Sequence, residues 1–509
     1  MSNCTTFIDV NARFGDKPAL IHPTSGRSVS YSELPAQVNR RASLLSQKGI
    51  VEGDRVCIYL VSSPEYVLWY FAIWRAGAVA VPLNNVLTED EVSYMVQNSG
   101  ARAVVTDMAG REVATGVGSS LSGKLVVLVE GTQEFADALF QASPVYESSN
   151  RSPEDLCQLQ YTSGTTGKQK GAMLTHANWM AAMDAERELL RLSPDDRYLG
   201  IYPMAHVGVS WGISALRAGA TWVIMERFSL DRYIDLIREY RPTVITAMPP
   251  VIHSLTQTPE GTEEAFRGAR LIISGGGPLH PSIWKDFYRR FSVPIVNAYG
   301  LSETIVVGTG TAIRPEDYGA ADEFRSVGHP VGYTEVRIVD ISDHSQRLRP
   351  MEMGEIALRG PAIAKGYWNM PEESAAVFLD DGWFLTGDVG FIDSDGMVSI
   401  TDRKKDMIVM SGWKIYPTEV EKVLIQHPKI RDVAVFGCPD LHRGEMPVAA
   451  VVPVGDEITL EEIRAFCEGR LARYKVPRRV VSSDKLPRVG GWKLLRRELR
   501  NHFCAEEGW

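Results

Sequence analysis

At 509 residues the chain is longer than one domain usually runs, and 44% hydrophobic with 23% charged residues is an ordinary globular composition. A net charge of −9 and a pI of about 5.7 argue against nucleic acid as a default partner. The opening MSNCTTFIDV lacks the basic-then-apolar pattern of a signal peptide, and Cys4, Cys57, Cys157, Cys438, Cys467 and Cys504 have no metal-type spacing, so they read as reduced thiols of a cytoplasmic protein.

In chain order, SVSYSELPAQVNRRASLLSQKG (28–49) has the pattern of a capped amphipathic helix that stops at Gly49, and DRVCIYL (54–60) that of a short buried strand. The most apolar run, YVLWYFAIWRAGAVAVPL (66–83), is broken by Arg75 and does not reach the ~18 uninterrupted apolar residues of a membrane span. It predicts a buried helix leading into a strand. LTEDEVSYMVQNSG (87–100) opens with Thr88 and Glu91 at capping-box spacing and closes at Gly100; ARAVVTD (101–107) and KLVVLVE (124–130) predict strands. This alternation predicts an α/β fold, with a large N-terminal domain of mixed, mostly parallel sheets flanked by helices.

CQLQYTSG (157–164) predicts a strand and THANWMAAMDAERELL (175–190) a helix, with YTSGTTGKQKG (161–171) joining them. Its glycines let backbone N–H groups turn toward a polyphosphate, its hydroxyls add donors, and Lys168 and Lys170 balance charge. The Walker A spacing is absent, because Gly164 and Gly167 are too close and Gln169 follows Lys168. From composition alone, a phosphate loop and a polar surface loop stand about even.

Near residue 400 the character changes. GWFLTGDVGFIDSDGMVSITDRKKDMI (382–408) reads as hairpins joined by tight turns. Beyond it, YPTEVEKVLIQHP (416–428) and TLEEIRAFCEGRLARYK (459–475) predict helices with capping boxes at Thr418/Glu421 and Thr459/Glu462, and RDVAVFGCPD (431–440) and MPVAAVVPV (446–454) predict strands. The expected domains are 1–401 and a small mobile α+β domain at 402–509, with a hinge at 402–406.

YTSGTTGKQKG, AYGLSET (298–304), GWFLTGD (382–388), DRKKDMIVMSGWKIYPTEVE (402–421) and LPRVGGWKLLRREL (486–499), in that order, resemble the signatures of the adenylate-forming superfamily: acyl-CoA synthetases, luciferases and the adenylation domains of peptide synthetases. The resemblance implies two half-reactions. A carboxylate attacks the α-phosphate of ATP to give an acyl-adenylate and pyrophosphate, and a thiol then displaces AMP. No protein nucleophile is needed, so catalysis rests on positioning and on charge stabilisation at phosphorus.

By the same resemblance, Thr162, Ser163, Gly164, Thr165, Thr166, Gly167 and Lys170 hold the β and γ phosphates. SGGGPL (274–279), with Gly275, Gly276, Gly277 and Pro278, lines the adenine, as do Asn297, Ala298, Tyr299 and Gly300; an ordinary turn after the strand ARLIIS (269–274) is the plain alternative. Thr304 touches the α-phosphate and Glu303 carries Mg²⁺, a hard cation suited to carboxylate and phosphate oxygens. Asp388 and Arg403 contact the ribose, Lys405 falls at the hinge position, and Lys493 bridges carboxylate and α-phosphate. Trp492 stands before that lysine where the family has glycine, a departure that bears on loop conformation and on which acyl groups pass.

For the thiol half-reaction the resemblance implies Ser411, Gly412 and Trp413 along the pantetheine tunnel, with Arg443 and Lys475 for CoA phosphates. His206 matches the family's pocket histidine, a core histidine being the alternative. Val207, Gly208, Val209, Trp211, Val306, Val307 and Gly308 are apolar or small and imply an apolar acid: fatty, alicyclic or aromatic. The expected partners are that carboxylate, Mg-ATP and CoA, with no nucleic acid and no membrane span, and with a homodimer left open. The chain stops at Trp509 with no carrier domain, which favours free CoA, and EEGW is not a peroxisomal address. The expectation is an AMP-forming carboxylate–CoA ligase. Its rivals are a luciferase-like oxygenase, an enzyme that loads a carrier protein, and a non-catalytic nucleotide- or acyl-binding homologue.

Overall fold

The computed structural model describes residues 3–120, 125–148, 151–162, 169–206, 208–277, 279, 281–305, 308–312, 326–489 and 493–505. It divides into two compact units, Met1–Val336 with Leu358–Phe384, and Arg337–Ala357 with Leu385–Trp509. The fold is α/β.

Two sheets build the first unit. One has nine strands, and its middle six run parallel in the order Pro18–His22, Thr221–Ile224, Arg197–Gly200, Val244–Thr246, Leu271–Gly275 and Ile295–Tyr299. The other has six strands, with Val126–Val129, Ala103–Thr106, Arg55–Tyr59, Val79–Pro82 and Leu156–Thr162 parallel and Lys170–Thr175 antiparallel at the edge. The strands are short, continuous apolar runs because helices cover both faces of such sheets. AVVT at 103–106 and VAVP at 79–82 are buried throughout.

The helix Pro64–Arg75 explains the most apolar run. It is apolar all round, is buried at every position but Glu65, and is capped by Ser63. Arg75 does not break it. The guanidinium is buried, but it is bonded to Asp9 at 2.8 Å and to the Asn39 side chain at 2.7 Å, so its charge is compensated. Among the described residues no helix is long and apolar enough to cross a membrane.

The second unit holds most of a four-stranded sheet, in which Phe384–Ile392 and Val398–Arg403 form the expected hairpin. It also holds a five-stranded sheet built on the long antiparallel pair Ile430–Asp440 and Gly444–Pro453. The helices Pro417–Leu424, Leu460–Cys467 and Arg496–Ala505 accompany that sheet.

Three local expectations are corrected. The strand Leu156–Thr162 and the helix His176–Leu190 are separated by a further strand, Lys170–Thr175, which pairs back on Leu156–Thr162 antiparallel. Thr418 and Glu421 do not form a capping box. The helix begins at Pro417 with Tyr416 as its uncapped N-terminal neighbour, and Glu421 is drawn to Arg496 instead. Cys438 and Cys504 are joined as a disulfide, leaving Cys4, Cys57, Cys157 and Cys467 as buried thiols. The boxes at Thr88/Glu91 and Thr459/Glu462 are both present.

Candidate active site

In open parallel sheets, ligands settle at the carboxyl ends of the strands. Described residues expected at the site follow the carboxyl ends of strands in both sheets of the first unit. Leu271–Gly275 and Ile295–Tyr299 are neighbours in register, Ser274 beside Asn297 and Gly275 beside Ala298. Gly275–Gly277 and Ala298–Gly300 therefore leave the sheet side by side. A Cβ on Gly275 would lie 2.8 Å from the Ala298 carbonyl oxygen, so this close approach needs glycine. Tyr299 is buried, and the Asn297 amide donates to the Ser326 carbonyl at 2.9 Å.

The next turn carries Glu303 and Thr304, both buried. The Thr304 hydroxyl accepts from the Leu301 N–H at 2.9 Å, which fixes the turn. Ile305 follows in the left-handed region at φ 57°, fully buried. A β-branched residue there is strained, and such strain persists where surrounding packing over-determines it.

Glu303 has a partner the sequence did not suggest. The Tyr367 hydroxyl donates to its carboxylate at 2.7 Å, and Lys170 Nζ lies 5.0 Å from the centre of the Tyr367 ring. One tyrosine thus joins the last residue of the phosphate-loop segment to the carboxylate expected to bind metal. A buried carboxylate oriented by a neutral donor is a donor set that fits a hard divalent cation.

The residues expected around the acyl group include neighbours from both sheets. His206 lies in the stretch after the strand Arg197–Gly200, and the Asn84 amide, after the strand Val79–Pro82, donates to His206 Nε2 at 3.2 Å. Gln160 ties the same stretch to the phosphate-loop strand through the Ala205 carbonyl at 3.0 Å. His206 is exposed, so the core-histidine alternative does not hold. Gly208 packs against Tyr202, Gly308 against Leu358, and Trp211 is buried in the helix Val209–Arg217.

In the second unit, Asp388 and Arg403 sit directly opposite each other on the hairpin, Arg403 Nε 3.1 Å from the buried Asp388 carboxylate. Desolvation, the largest influence, lowers the ammonium of the exposed Lys405 below its ordinary range. Ser411 (φ 50°) and Gly412 (φ 83°) form a tight turn, and the Ser411 N–H donates to the Arg443 carbonyl at 2.7 Å. Trp413 is 58% exposed and stacks on Tyr474 at 4.8 Å, beside Lys475, which pairs with Glu419. The turn, Arg443 and Lys475 thus share one face of this unit.

Lys493 opens the two-residue strand Lys493–Leu494, paired with Arg488–Val489. Three residues on, Arg496 forks onto Glu421 with two bonds of 2.8 Å and donates to the Val435 carbonyl at 3.1 Å. It also lies 3.6 Å from Asp406. This arginine ties the segment after Lys493 to the start of the second unit's helical layer. Ser163 to Lys168, Val207, Pro278, Val306, Val307 and Trp492 lie outside the described residues.

Tyr367, Asn84, Tyr474 and Arg496, which contact Glu303, His206, Trp413 and Glu421 respectively, are not among the residues expected from the sequence. Each works through a neighbour distant in sequence.

The family model described as AMP-binding enzyme matches residues 7–368, and that described as AMP-binding enzyme C-terminal domain matches residues 419–491. The chain is 34% identical to 4-coumarate–CoA ligase 3 of Oryza sativa subsp. japonica, over 97% of this chain and 91% of that protein. It is 32% identical to long-chain-fatty-acid–CoA ligase FadD13 of Mycobacterium tuberculosis, over 96% and 95% respectively. Its structure is similar to that of ATP-bound MatB from Rhodopseudomonas palustris, with a TM-score of 0.88, 30% identity and 99% of both chains covered.

Proposed function

The chain belongs to the AMP-binding enzyme family and is an acid–thiol ligase of the AMP-forming kind, and from that premise we propose that it activates an apolar monocarboxylate with Mg-ATP and passes the acyl group to CoA. The observation that carries this reading is the joining of Lys170 and Glu303 through Tyr367, beside the Gly275–Gly277 and Ala298–Gly300 turns. It supports neighbouring positions for a polyphosphate, its metal and a purine.

In the first half-reaction a carboxylate oxygen attacks the α-phosphorus and pyrophosphate leaves. Two anions must meet, so the groups assigned here are cations and donors: Lys170 at the β and γ phosphates, Thr304 at the α-phosphate and Lys493 between attacker and phosphoryl oxygen. Glu303 would hold Mg²⁺, which neutralises phosphate charge as it develops. Asp388, a double acceptor, takes the ribose hydroxyls, and Arg403, 3.1 Å away, helps to aim that carboxylate. In the second half-reaction the thiol attacks the acyl carbon and AMP leaves. Ser411, Gly412 and Trp413 guide the pantetheine, with Arg443 and Lys475 toward the phosphates of CoA. Lys405 serves as the hinge between the two steps.

Two features support an apolar acid. The relatives named above act, by their names, on 4-coumarate and on long-chain fatty acids. The carboxylate of Glu186, beneath the helix that carries Trp211, is fully buried and already bonded by Ser210 and Ser214, so it does not meet a substrate ammonium.

The test is pyrophosphate and AMP release across acids from benzoate to palmitate, with and without CoA. AMP turnover that requires CoA and one class of acid is expected. Pyrophosphate that stalls near one equivalent whether or not CoA is present would transfer the reading to another acyl acceptor. No release with any acid would sink it.

A further inference from the structure

Tyr367 sits in a segment that is stitched on two sides. Toward the phosphate-loop strand, Met173 N–H donates to the Gly366 carbonyl at 2.9 Å and Trp368 N–H to the Gly171 carbonyl at 2.8 Å. Toward the metal-side turn, Ala364 N–H donates to the Glu303 carbonyl at 2.8 Å. The tyrosine is held within its own segment as well. Its N–H donates to Ser374 Oγ at 2.8 Å, and Phe378 meets its ring edge-on at 5.4 Å. Gly366 lies at φ 139° with Ser374 and Met173 atoms 3.1 to 3.3 Å from where a Cβ would stand, so this approach needs glycine.

The ring is therefore fixed before any ligand arrives, and its two chemical faces do different things. The hydroxyl donates to Glu303 at 2.7 Å. The π-face lies under the Lys170 ammonium at 5.0 Å.

Resting on the ligase reading above, we infer that Tyr367 is the positioning residue that sets two ligand-binding groups in one register, its hydroxyl aiming the Glu303 carboxylate at the nucleotide's metal and its ring holding the Lys170 ammonium at the phosphates. The two halves separate chemically. Tyr367→Phe keeps the ring and deletes the donor. Tyr367→Leu deletes both.

Calorimetric titration of the full chain with ATP in excess Mg²⁺, and again in EDTA, separates the metal's contribution from the nucleotide's. Wild type should bind Mg-ATP more tightly than metal-free ATP. In Tyr367→Phe that ratio should shrink about tenfold, the effect of one lost hydrogen bond to a charged group, with metal-free ATP binding unchanged. In Tyr367→Leu metal-free ATP should also weaken several-fold. The pyrophosphate assay should follow, with the Mg²⁺ concentration for half-maximal rate raised in the Phe variant and kcat at saturating Mg²⁺ within about threefold.

A Phe variant with the wild-type Mg²⁺ ratio would overturn the inference, since it folds around the same ring. So would equal loss of both affinities in the Phe variant, which is what general destabilisation gives. Wild type that binds ATP equally with and without Mg²⁺ would overturn the assignment of Glu303 itself, and this inference with it.

Discussion

Glu186 lies fully buried between two helices, where Ser210 and Ser214 hydroxyls donate to its carboxylate. Burial is the dominant influence, and it raises the carboxyl from an ordinary 4.5 to about 8, the hydroxyls offsetting part of the rise. A raised carboxyl means that the unfolded chain releases its proton first. Stability is then fully present below pH 4.5 and is lost progressively as pH climbs toward 8. Glu186→Gln, a neutral isostere, should match wild type near pH 5 and melt higher near pH 9, with a gain on the order of 1–3 kcal/mol. Melting curves at the two pH values decide it, and a gain independent of pH would rule out the titration. At the same scale, Lys493→Ala should lower pyrophosphate release at least a hundredfold, the usual loss for one group aimed at developing charge. Thioester formation from supplied acyl-adenylate should stay within a few-fold. Equal loss in both half-reactions would place the lysine elsewhere.

Among the elements, two contacts decide how the site is held. The strands Leu271–Gly275 and Ile295–Tyr299 approach so closely at Gly275 that an added methyl meets a backbone oxygen, which cannot move aside as a side-chain tip can. Gly275→Ala should therefore cost about 1–3 kcal/mol and raise the KM for ATP. An unchanged KM would mean that this turn does not line the nucleotide. In the second unit, the helix Pro417–Leu424 and the helix Arg496–Ala505 are linked by Arg496 on Glu421. Arg496→Met leaves a partly buried carboxylate with only the Val435 N–H as partner and should destabilise this unit by about 2–3 kcal/mol. Adding Glu421→Gln should recover most of the loss. No recovery in a denaturant titration would show that the pair itself carries little. Glu421 also illustrates the limit of local reading. Thr418 and Glu421 have capping-box spacing, as do Thr88/Glu91 and Thr459/Glu462, yet only the latter two form boxes. A guanidinium from 75 residues away binds the Glu421 carboxylate in place of the helix terminus.

At the scale of the whole chain, Cys438 and Cys504 are joined across 66 residues while the other four cysteines are buried thiols. Thiol titration of the denatured, unreduced protein should find four groups, rising to six after reduction. Six before reduction would remove the bridge. The sequence by itself determined the α/β class, much of the order of helices and strands, and the family. Those properties follow from hydrophobic period, turn residues and short contiguous signatures such as AYGLSET, all of which are local. Only the tertiary structure decided which partners those residues have. Tyr367 under Lys170 and on Glu303, Asn84 on His206, Tyr474 under Trp413 and Arg496 on Glu421 are all pairs made by strands and turns that come together in three dimensions. A side chain's period along the chain says which face it occupies, but what it meets there depends on sheet order and register, and these are fixed by packing over the whole unit.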